Sequence, residues 1–216
     1  NQFNKTSTDE KVDTEVERSK WEKKTNNNHN ESPDWSAIWP HVLDQGESMS
    51  CWAFTTTAII EAANYLNKNA MEYLSPQSLI DCNQDGWHNA SCNGGRLHFS
   101  FNYLKWNGLA KYQDYPYTAV CGKCSFYQRN DCSTKEGEAR FITPYVKISE
   151  FRACDIDFGY PNCSPEIIKE AIKFGPFGTG IQITPEIQHY RGGVINPTCH
   201  TLNHAVVAVQ VTNEYI

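Results

Sequence analysis

The most informative feature of this 216-residue sequence is the stretch 44–54, in which a polar loop turns into a helix. The loop reads Asp-Gln-Gly-Glu-Ser-Met-Ser, and Cys51 follows it at the start of a segment rich in apolar residues, 51–66. These apolar residues occupy more than one helical face, which predicts a mostly buried helix that stops at the polar Asn67 and Asn69. Cys51 is therefore expected at the N-terminus of a buried helix.

The neighbours of Cys51 favour a chemical role for its thiol. Unpaired backbone N–H groups and the positive end of the helix dipole favour a thiolate at such a position. The alternative is a small buried residue or half of a disulfide, which is the commoner use of cysteine. Gln45, six residues earlier, carries a side-chain amide that can reach a developing oxyanion, and Trp52 follows directly. We therefore predict that Cys51 is a nucleophile.

The charge and hydropathy of the sequence indicate which classes of binding partner to expect. The net charge is −6 and the pI is about 5.6, so no basic surface is available for nucleic acid and we expect no such partner. No apolar run approaches the roughly eighteen residues that a membrane-spanning helix needs, so we expect no membrane partner. The length suits one large domain or two lobes.

The cysteines and glycosylation sequons indicate the secretory route. Nine cysteines predict disulfides that form in an oxidising compartment, and the odd count leaves one thiol unpaired, which Cys51 explains. Four Asn-x-Ser/Thr sequons point the same way. They give the candidate glycosylation sites Asn4, Asn30, Asn89 and Asn162. We expect a lysosomal or secreted protein.

Local signals predict the other elements. Ser75-Pro76 begins a short helix, the glycines after Cys92 open another that closes at Asn107-Gly108, and Ser164-Pro165 begins a third that ends near Phe174. Alternating or β-branched runs predict strands over 139–148, 178–183 and 204–209.

Six motifs together resemble one family. They are Gln45-Gly46 with Ser50-Cys51-Trp52-Ala53-Phe54, the Leu-Ser-x-Gln-x-Leu-x-Asp-Cys run from Leu74, Cys92-Asn93-Gly94-Gly95, Tyr115-Pro116-Tyr117, Tyr190-x-Gly-Gly-Val and Asn203-His204-Ala205. In these motifs the sequence resembles the papain-like cysteine proteases of the cathepsin type. The resemblance implies an α+β fold of two lobes, a helical N-terminal lobe and a β-barrel-like C-terminal lobe.

This resemblance divides the chain into three expected parts. Residues 1–33 are polar, of low complexity in places, and would be a disordered tail or a propeptide remnant. Residues 34–120 would form the helical lobe and residues 121–216 the β-rich lobe. The family pattern stops at Gln210, before the Asn-Ser-Trp segment of the family, so we expect the last strands to be missing.

The resemblance also implies the site residues of a cysteine endopeptidase. Cys51 would be the nucleophile, His204 its base and acid, and Gln45 with the Cys51 N–H the oxyanion donors. The substrate-binding residues would be Gly94, Gly95, Leu97, Gly180, Leu202 and Asn203. No cofactor or metal is implied. The implied partners are protein or peptide substrates, a propeptide and cystatin-type inhibitors, and we expect a monomer.

Ser48 is the main departure from the family. The family has there a cysteine that bridges to the one matching Cys92, so Cys92 is either orphaned or paired anew. Three cysteines that follow the Tyr-Pro-Tyr motif are candidate partners of Cys82, namely Cys121, Cys124 and Cys132.

Two further cysteine questions stay open at this point. Cys154 and Cys163 flank a short loop and could pair with each other. The Cys-x-x-Cys motif at Cys121 and Cys124 also raises a zinc site, but no second pair of ligands supports it.

A second function therefore remains open. Ser48-Met49, Glu47 beside the nucleophile and the missing Asn that orients the histidine favour a catalytically impaired papain-like protein that binds peptides without turnover. Gln45, Cys51 and His204 favour the enzyme.

Overall fold

The computed structural model describes residues 32–83, 89–124, 164–195 and 201–212. In these ranges there are five α-helices: α1 Cys51–Lys68, α2 Pro76–Cys82, α3 Leu97–Trp106, α4 Pro165–Ala171 and α5 Pro185–Gln188. Three 3-10 turns lie at Ser36–Ile38, Ser91–Asn93 and Ile172–Phe174, and two strands are β1 Phe177–Ile181 and β2 His204–Ala208. Helices α1 to α4 thus precede the sheet along the chain, as the α+β prediction requires.

Helix α1 is the central element, and it begins at Cys51 as predicted. The N–H groups of Ala53 and Phe54 donate to the Ser50 carbonyl (2.8 and 3.2 Å). The helix ends at Asn69, which adopts the left-handed conformation (φ 55°) while its N–H donates to the Tyr65 carbonyl. Asparagine tolerates this conformation, which makes it a suitable C-cap. Asn67, the other predicted stop, lies inside the helix.

The apolar face of α1 forms the core with α2 and α3. Fully or almost fully buried members of this core are Trp52, Ala53, Ile60, Leu74, Leu79, Ile80, Leu104 and Leu109. Helix α2 begins at the predicted Ser-Pro signal, since the Ser75 hydroxyl accepts from the Ser78 N–H (3.0 Å). Burial of these apolar side chains is the main stabilisation of this part of the chain.

The two described strands are antiparallel. Ile181 is opposite His204, and Phe177 is opposite Ala208. Helix α1 packs against both strands, so the helix that begins at Cys51 lies on the sheet that carries His204. The predicted strands 178–183 and 204–209 are therefore confirmed within one or two residues, whereas the predicted strand 139–148 lies outside the described residues.

Hydrogen bonds join the segment that precedes the first 3-10 turn to the segment that follows β2. The Ser32 hydroxyl bonds the carbonyl of Val211 and accepts from its N–H, and Trp35 donates its N–H to the Val209 carbonyl (3.0 Å). Val211 is 4% exposed. The chain just beyond Gln210 is thus part of the packed structure, as is Ser32 at the end of the predicted tail.

Two disulfides within the described ranges give the partners of Cys82 and Cys92. Cys82 pairs with Cys124, and Cys92 pairs with Cys121. Cys92 is therefore paired anew, because Cys121 takes the role that Ser48 cannot fill. Residues 121–124 are tied to the helical part by these bridges. The division into lobes itself stays a prediction.

Both cysteines of the Cys-x-x-Cys motif are oxidised in these bridges. A zinc ion needs thiolates, so Cys121 and Cys124 are unavailable as its ligands. Cys132, Cys154, Cys163 and Cys199 lie outside the described residues. Among the described residues, no helix has the length and apolar character needed to cross a bilayer.

Candidate active site

Cys51 carries a free, half-buried thiol at the first position of α1. The preceding Ser50 is fully buried and adopts a non-helical conformation (φ −99°, ψ 12°), and its side chain makes no capping bond to the helix. The first backbone N–H groups of α1 thus receive no side-chain cap from Ser50. A helix terminus of this kind stabilises negative charge on a sulfur or an oxygen.

The loop before Cys51 is closed by its own hydrogen bonds. The Gln45 side chain donates Nε2–H to the Ser48 carbonyl (2.8 Å), which leaves one amide hydrogen for another acceptor. Gly46 has a positive φ of 61°, and its N–H donates to the Asp44 carboxylate (2.8 Å). The turn at Gly46 thereby directs Gln45 back towards the segment that leads to Cys51.

The glycine pair Gly94-Gly95 lies beside the tryptophan that follows the nucleophile. A Cβ on Gly95 would lie 2.6 Å from Cδ2 of Trp52 and 2.5 Å from Oδ1 of Asn89, so no side chain fits there. Gly94 has a φ of 108°, and nothing lies within 4 Å of the position its Cβ would take. The backbone of this turn is therefore close to α1 and open on one side.

The predicted apolar pocket residues gather on one face of β1. The Leu202 Cδ1 lies 3.0 Å from the position of a Cβ on Gly180, and the Leu97 Cδ1 lies 2.8 Å from that of a Cβ on Gly178. Residues two apart on a strand share a face, so both leucines cover the same side of β1. Sequence reasoning missed Gly178, for which the Gly-x-Gly pattern of the strand was the available signal.

Asn203 uses its side chain to hold the strand end. Its Oδ1 accepts from the Ile183 N–H (2.7 Å), and its Nδ2 donates to the Ile183 carbonyl (3.2 Å). The Asn203 backbone N–H donates to the Ile181 carbonyl (3.0 Å). The predicted substrate-binding role of Asn203 can therefore involve its backbone carbonyl more readily than its amide.

His204 is the first residue of β2 and is partly buried. Burial lowers the pKa of its imidazole below the ordinary value of 6.5. A lowered pKa favours the neutral imidazole, which can accept a proton from a thiol. Since β2 packs against α1, His204 and Cys51 lie on two elements in direct contact.

The prediction of a glycan on Asn89 is wrong for this fold. Asn89 is fully buried, its Oδ1 accepts from the Arg96 N–H (2.7 Å) and its Nδ2 donates to the Ser100 hydroxyl (3.2 Å). A glycan attached to that nitrogen would have no space. The other candidate sites, Asn4, Asn30 and Asn162, lie outside the described residues.

Two residues near the nucleophile were not assigned a role from the sequence. Ser48 stands where the family has a bridging cysteine, and the Tyr117 hydroxyl contacts it at 2.8 Å. Tyr117 belongs to the Tyr-Pro-Tyr motif, but the motif alone does not reveal which groups its hydroxyl reaches.

Comparisons with a family model and with curated proteins indicate the same family for this chain. Residues 29–214 match the model of the papain family cysteine proteases. The germination-specific cysteine protease 1 of Arabidopsis thaliana is 35% identical over 193 residues, which is 85% of this chain and 45% of the relative. Cathepsin L 2 of Paramecium tetraurelia is 34% identical over 182 residues, 82% of this chain and 51% of the relative.

Solved structures agree. The bromelain protease of Ananas comosus in complex with the E64 inhibitor has a TM-score of 0.66 at 26% identity, covering 84% of this chain and 75% of that one. The Amb a 11 cysteine protease, a ragweed pollen allergen, in its proform has a TM-score of 0.67 at 27% identity, covering 88% of this chain and 53% of that one.

The chain belongs to the papain family of cysteine proteases. The family match continues to residue 214, past Gln210, the point at which the motifs predict a departure from the family pattern. The chain spans about half the length of the curated relatives named above.

Proposed function

We propose that this chain acts as a cysteine endopeptidase of the secretory route. The observation that carries the proposal is the free, half-buried thiol of Cys51 at the N-terminus of α1, after a loop in which the Gln45 amide donates to the Ser48 carbonyl. Such a thiol is a nucleophile at neutral or mildly acidic pH when an imidazole lies across from it.

The proposed reaction uses residues of both α1 and β2. His204 takes the thiol proton of Cys51, and the sulfur attacks a peptide carbonyl carbon. Gln45 Nε2–H and the Cys51 N–H donate to the oxygen that becomes negative. The C–N bond then breaks, and His204 transfers its proton to the leaving amine. His204 then takes a proton from water, whose oxygen attacks the thioester carbonyl carbon. The C–S bond breaks, and the proton on His204 returns to the Cys51 sulfur to restore the thiol.

The proposed substrate cleft runs beside the same elements. The backbone of Gly94 and Gly95 pairs with the extended peptide, and a Cβ-free turn allows that close approach. The apolar pocket of Leu97, Gly180 and Leu202 takes an apolar side chain at the second position on the acyl side of the bond. The backbone carbonyl of Asn203 accepts a hydrogen bond from the peptide.

Partners and compartment follow from the proposed activity. Substrates are proteins or peptides, and a propeptide and cystatin-type inhibitors occupy the same cleft. We propose a monomer that works in a lysosome or outside the cell, where the disulfides Cys82–Cys124 and Cys92–Cys121 persist.

Labelling by an epoxide inactivator of the papain type, together with peptide hydrolysis, tests the proposal. We expect covalent modification of Cys51 and measurable hydrolysis. Cys51→Ser lowers kcat by a factor of about 10³ or more and His204→Ala by about 10² or more. Iodoacetamide serves as the control for thiol access. If iodoacetamide modifies Cys51 while the epoxide does not, and bound peptides remain intact, the chain is instead a peptide-binding member of the family.

A further inference from the structure

The nucleophile loop has no covalent attachment to the turn beside it. Ser48 cannot form a bridge, and Cys92 is paired with Cys121. One backbone hydrogen bond, from the Met49 N–H to the Cys92 carbonyl (3.0 Å), joins the loop to that turn. Other groups must therefore hold the segment between Gln45 and Cys51.

Three hydroxyl groups meet behind this segment. Tyr117 donates to the Gln45 carbonyl (2.7 Å) and contacts the hydroxyl of Ser48 (2.8 Å) and, more distantly, that of Ser50 (3.4 Å). The Ser48 hydroxyl lies 2.5 Å from the Ser50 hydroxyl and 3.0 Å from the Gln45 carbonyl. We call Ser48, Ser50 and Tyr117 the hydroxyl cluster.

The protons of the hydroxyl cluster can be assigned without conflict. Each hydroxyl has one proton to donate and two lone pairs that accept. Ser50 can donate to Ser48, and Tyr117 donates to the Gln45 carbonyl. The single Ser48 proton goes either to the Gln45 carbonyl or to Tyr117. Either choice gives three hydrogen bonds that lead to the backbone carbonyl of Gln45, and hydrogen bonds in such networks strengthen one another.

The ring of Tyr117 is itself fixed by α1. It packs edge-to-face on Phe54, with ring centroids 4.8 Å apart and an interplanar angle of 85°. Phe54 lies one helical turn after Cys51, and Ser50 directly precedes Cys51. The hydroxyl cluster thus links the backbone of Gln45 to both sides of the nucleophile.

We propose that Tyr117, through the hydroxyl cluster, is a positioning residue for the oxyanion site and takes the place of the covalent bridge that Ser48 cannot make. Tyr117 touches neither substrate nor reacting atoms in this proposal. It fixes the Gln45 backbone, and so the direction of the Gln45 amide, relative to the Cys51 N–H. The inference rests on the proposed function, because an oxyanion site has meaning only for a protein that forms a tetrahedral adduct.

The first test compares Tyr117→Phe and Ser48→Ala with the control Tyr112→Phe. Tyr112 is a half-buried tyrosine a few residues away, whose hydroxyl has no hydrogen-bond partner within the described ranges. Each cluster variant is expected to lower kcat about tenfold with KM changed less than twofold, as the loss of one positioning hydrogen bond predicts. Affinity for a peptide aldehyde, whose adduct oxygen occupies the oxyanion site, is expected to fall by the same factor.

The rate at which iodoacetamide alkylates Cys51 shows whether Tyr117 and Ser48 position the oxyanion site or only support the fold. This reaction forms no oxyanion, so its rate is expected to stay within twofold in both cluster variants. Parallel losses in alkylation and kcat, or a control variant that behaves like Tyr117→Phe, would overturn the inference.

A covalent rescue gives an independent test. Ser48→Cys together with Cys121→Ser offers Cys92 the partner it has in the family. In that background we expect Tyr117→Phe to lower kcat less than threefold, because the bridge holds the loop; an undiminished loss with the bridge formed would contradict the role assigned to Tyr117.

Hydrogen exchange keeps the inference testable if the wild-type protein lacks hydrolysis. In that case the proposed function fails, whereas the Met49 amide still reports the position of the loop. Its exchange is expected to be at least about fivefold faster in Tyr117→Phe than in wild type and unchanged in Tyr112→Phe. Equal exchange in all three proteins would overturn the positioning role.

Discussion

At the scale of single residues, Glu61 shows how burial raises the pKa of a carboxyl group. Its carboxyl group lies in the middle of α1, is 3% exposed, and accepts hydrogen bonds from the Leu74 N–H (2.7 Å) and the Trp39 indole (3.2 Å). Burial raises its pKa from 4.5 to about 7, and the two donors offset part of that effect. A carboxyl group of this kind binds its proton more tightly in the folded state than in the unfolded chain.

The pH dependence of stability should follow from this carboxyl group. Between the unfolded pKa of 4.5 and the folded pKa of about 7, the folded state binds more protons, so stability falls as pH rises. The contribution is complete below about pH 4.5, is lost as pH rises through 7, and amounts to about 3 kcal/mol at most. Glu61→Gln should therefore lose less stability between pH 5 and pH 8 than wild type, by about 2 kcal/mol in urea titrations.

Glu170→Gln is the matched control, because Glu170 is exposed and pairs with Lys173. Its pH profile should follow that of wild type. Identical profiles for Glu61→Gln and Glu170→Gln would show that the Glu61 carboxyl group does not set the dependence.

At the scale of elements, two helices begin with the same Ser-Pro signal in different surroundings. At α2, the Ser75 hydroxyl is fully buried, accepts from the Ser78 N–H and donates to the Tyr115 carbonyl at 2.5 Å. At α4, the Ser164 hydroxyl accepts from the Ile167 N–H at 3.4 Å, with solvent nearby. The sequence signal is local, whereas its energetic value depends on burial.

Replacement of each capping serine by alanine should show how the stabilising effect of a buried cap differs from that of an exposed one. Ser75→Ala removes a cap and leaves buried backbone groups without their partner, so we expect a loss of about 2 kcal/mol in the free energy of unfolding. Ser164→Ala, the matched control, should cost less than about 1 kcal/mol. Chemical denaturation measures both, and equal losses would mean that burial of the cap has no influence.

At the scale of the whole molecule, the two disulfides that the described part of the chain contains are nested. The bridge Cys92–Cys121 lies inside the loop closed by Cys82–Cys124. The inner bridge spans 29 residues and the outer one 42. Both tie the segment after the Tyr-Pro-Tyr motif to the helices, and Gly122 adds an N–H bond to the Asp81 carboxylate (2.7 Å).

Loss of the inner bridge should destabilise the whole fold. Cys121→Ser is expected to lower the free energy of unfolding by about 2–4 kcal/mol, chiefly because the unfolded chain gains freedom. Cys51→Ser is the control, since it removes a cysteine without removing a bridge, and it should change stability by less than about 1 kcal/mol. Similar losses in the two variants, or peptide mapping that finds Cys92 unpaired in wild type, would contradict the pairing.

The sequence by itself determined the local features of this protein. The start of α2 follows from capping chemistry that acts within a few residues, and the start of α1 follows from the change from a polar loop to an apolar run. The family motifs placed Cys51, His204 and the glycine turn on their elements. Membership in the papain family and the order of helices α1 to α4 before the strands follow from these motifs alone, because each motif is a run of neighbouring residues.

Only the tertiary structure decided which distant groups meet. The choice of Cys121 as the partner of Cys92, the burial of Asn89 under Arg96 and Ser100, and the approach of Tyr117 to Ser48 all join residues that are remote or unmarked in the sequence. Burial and hydrogen bonding depend on how helices and strands pack, and a sequon or a tyrosine has the same letters whether it is exposed or enclosed.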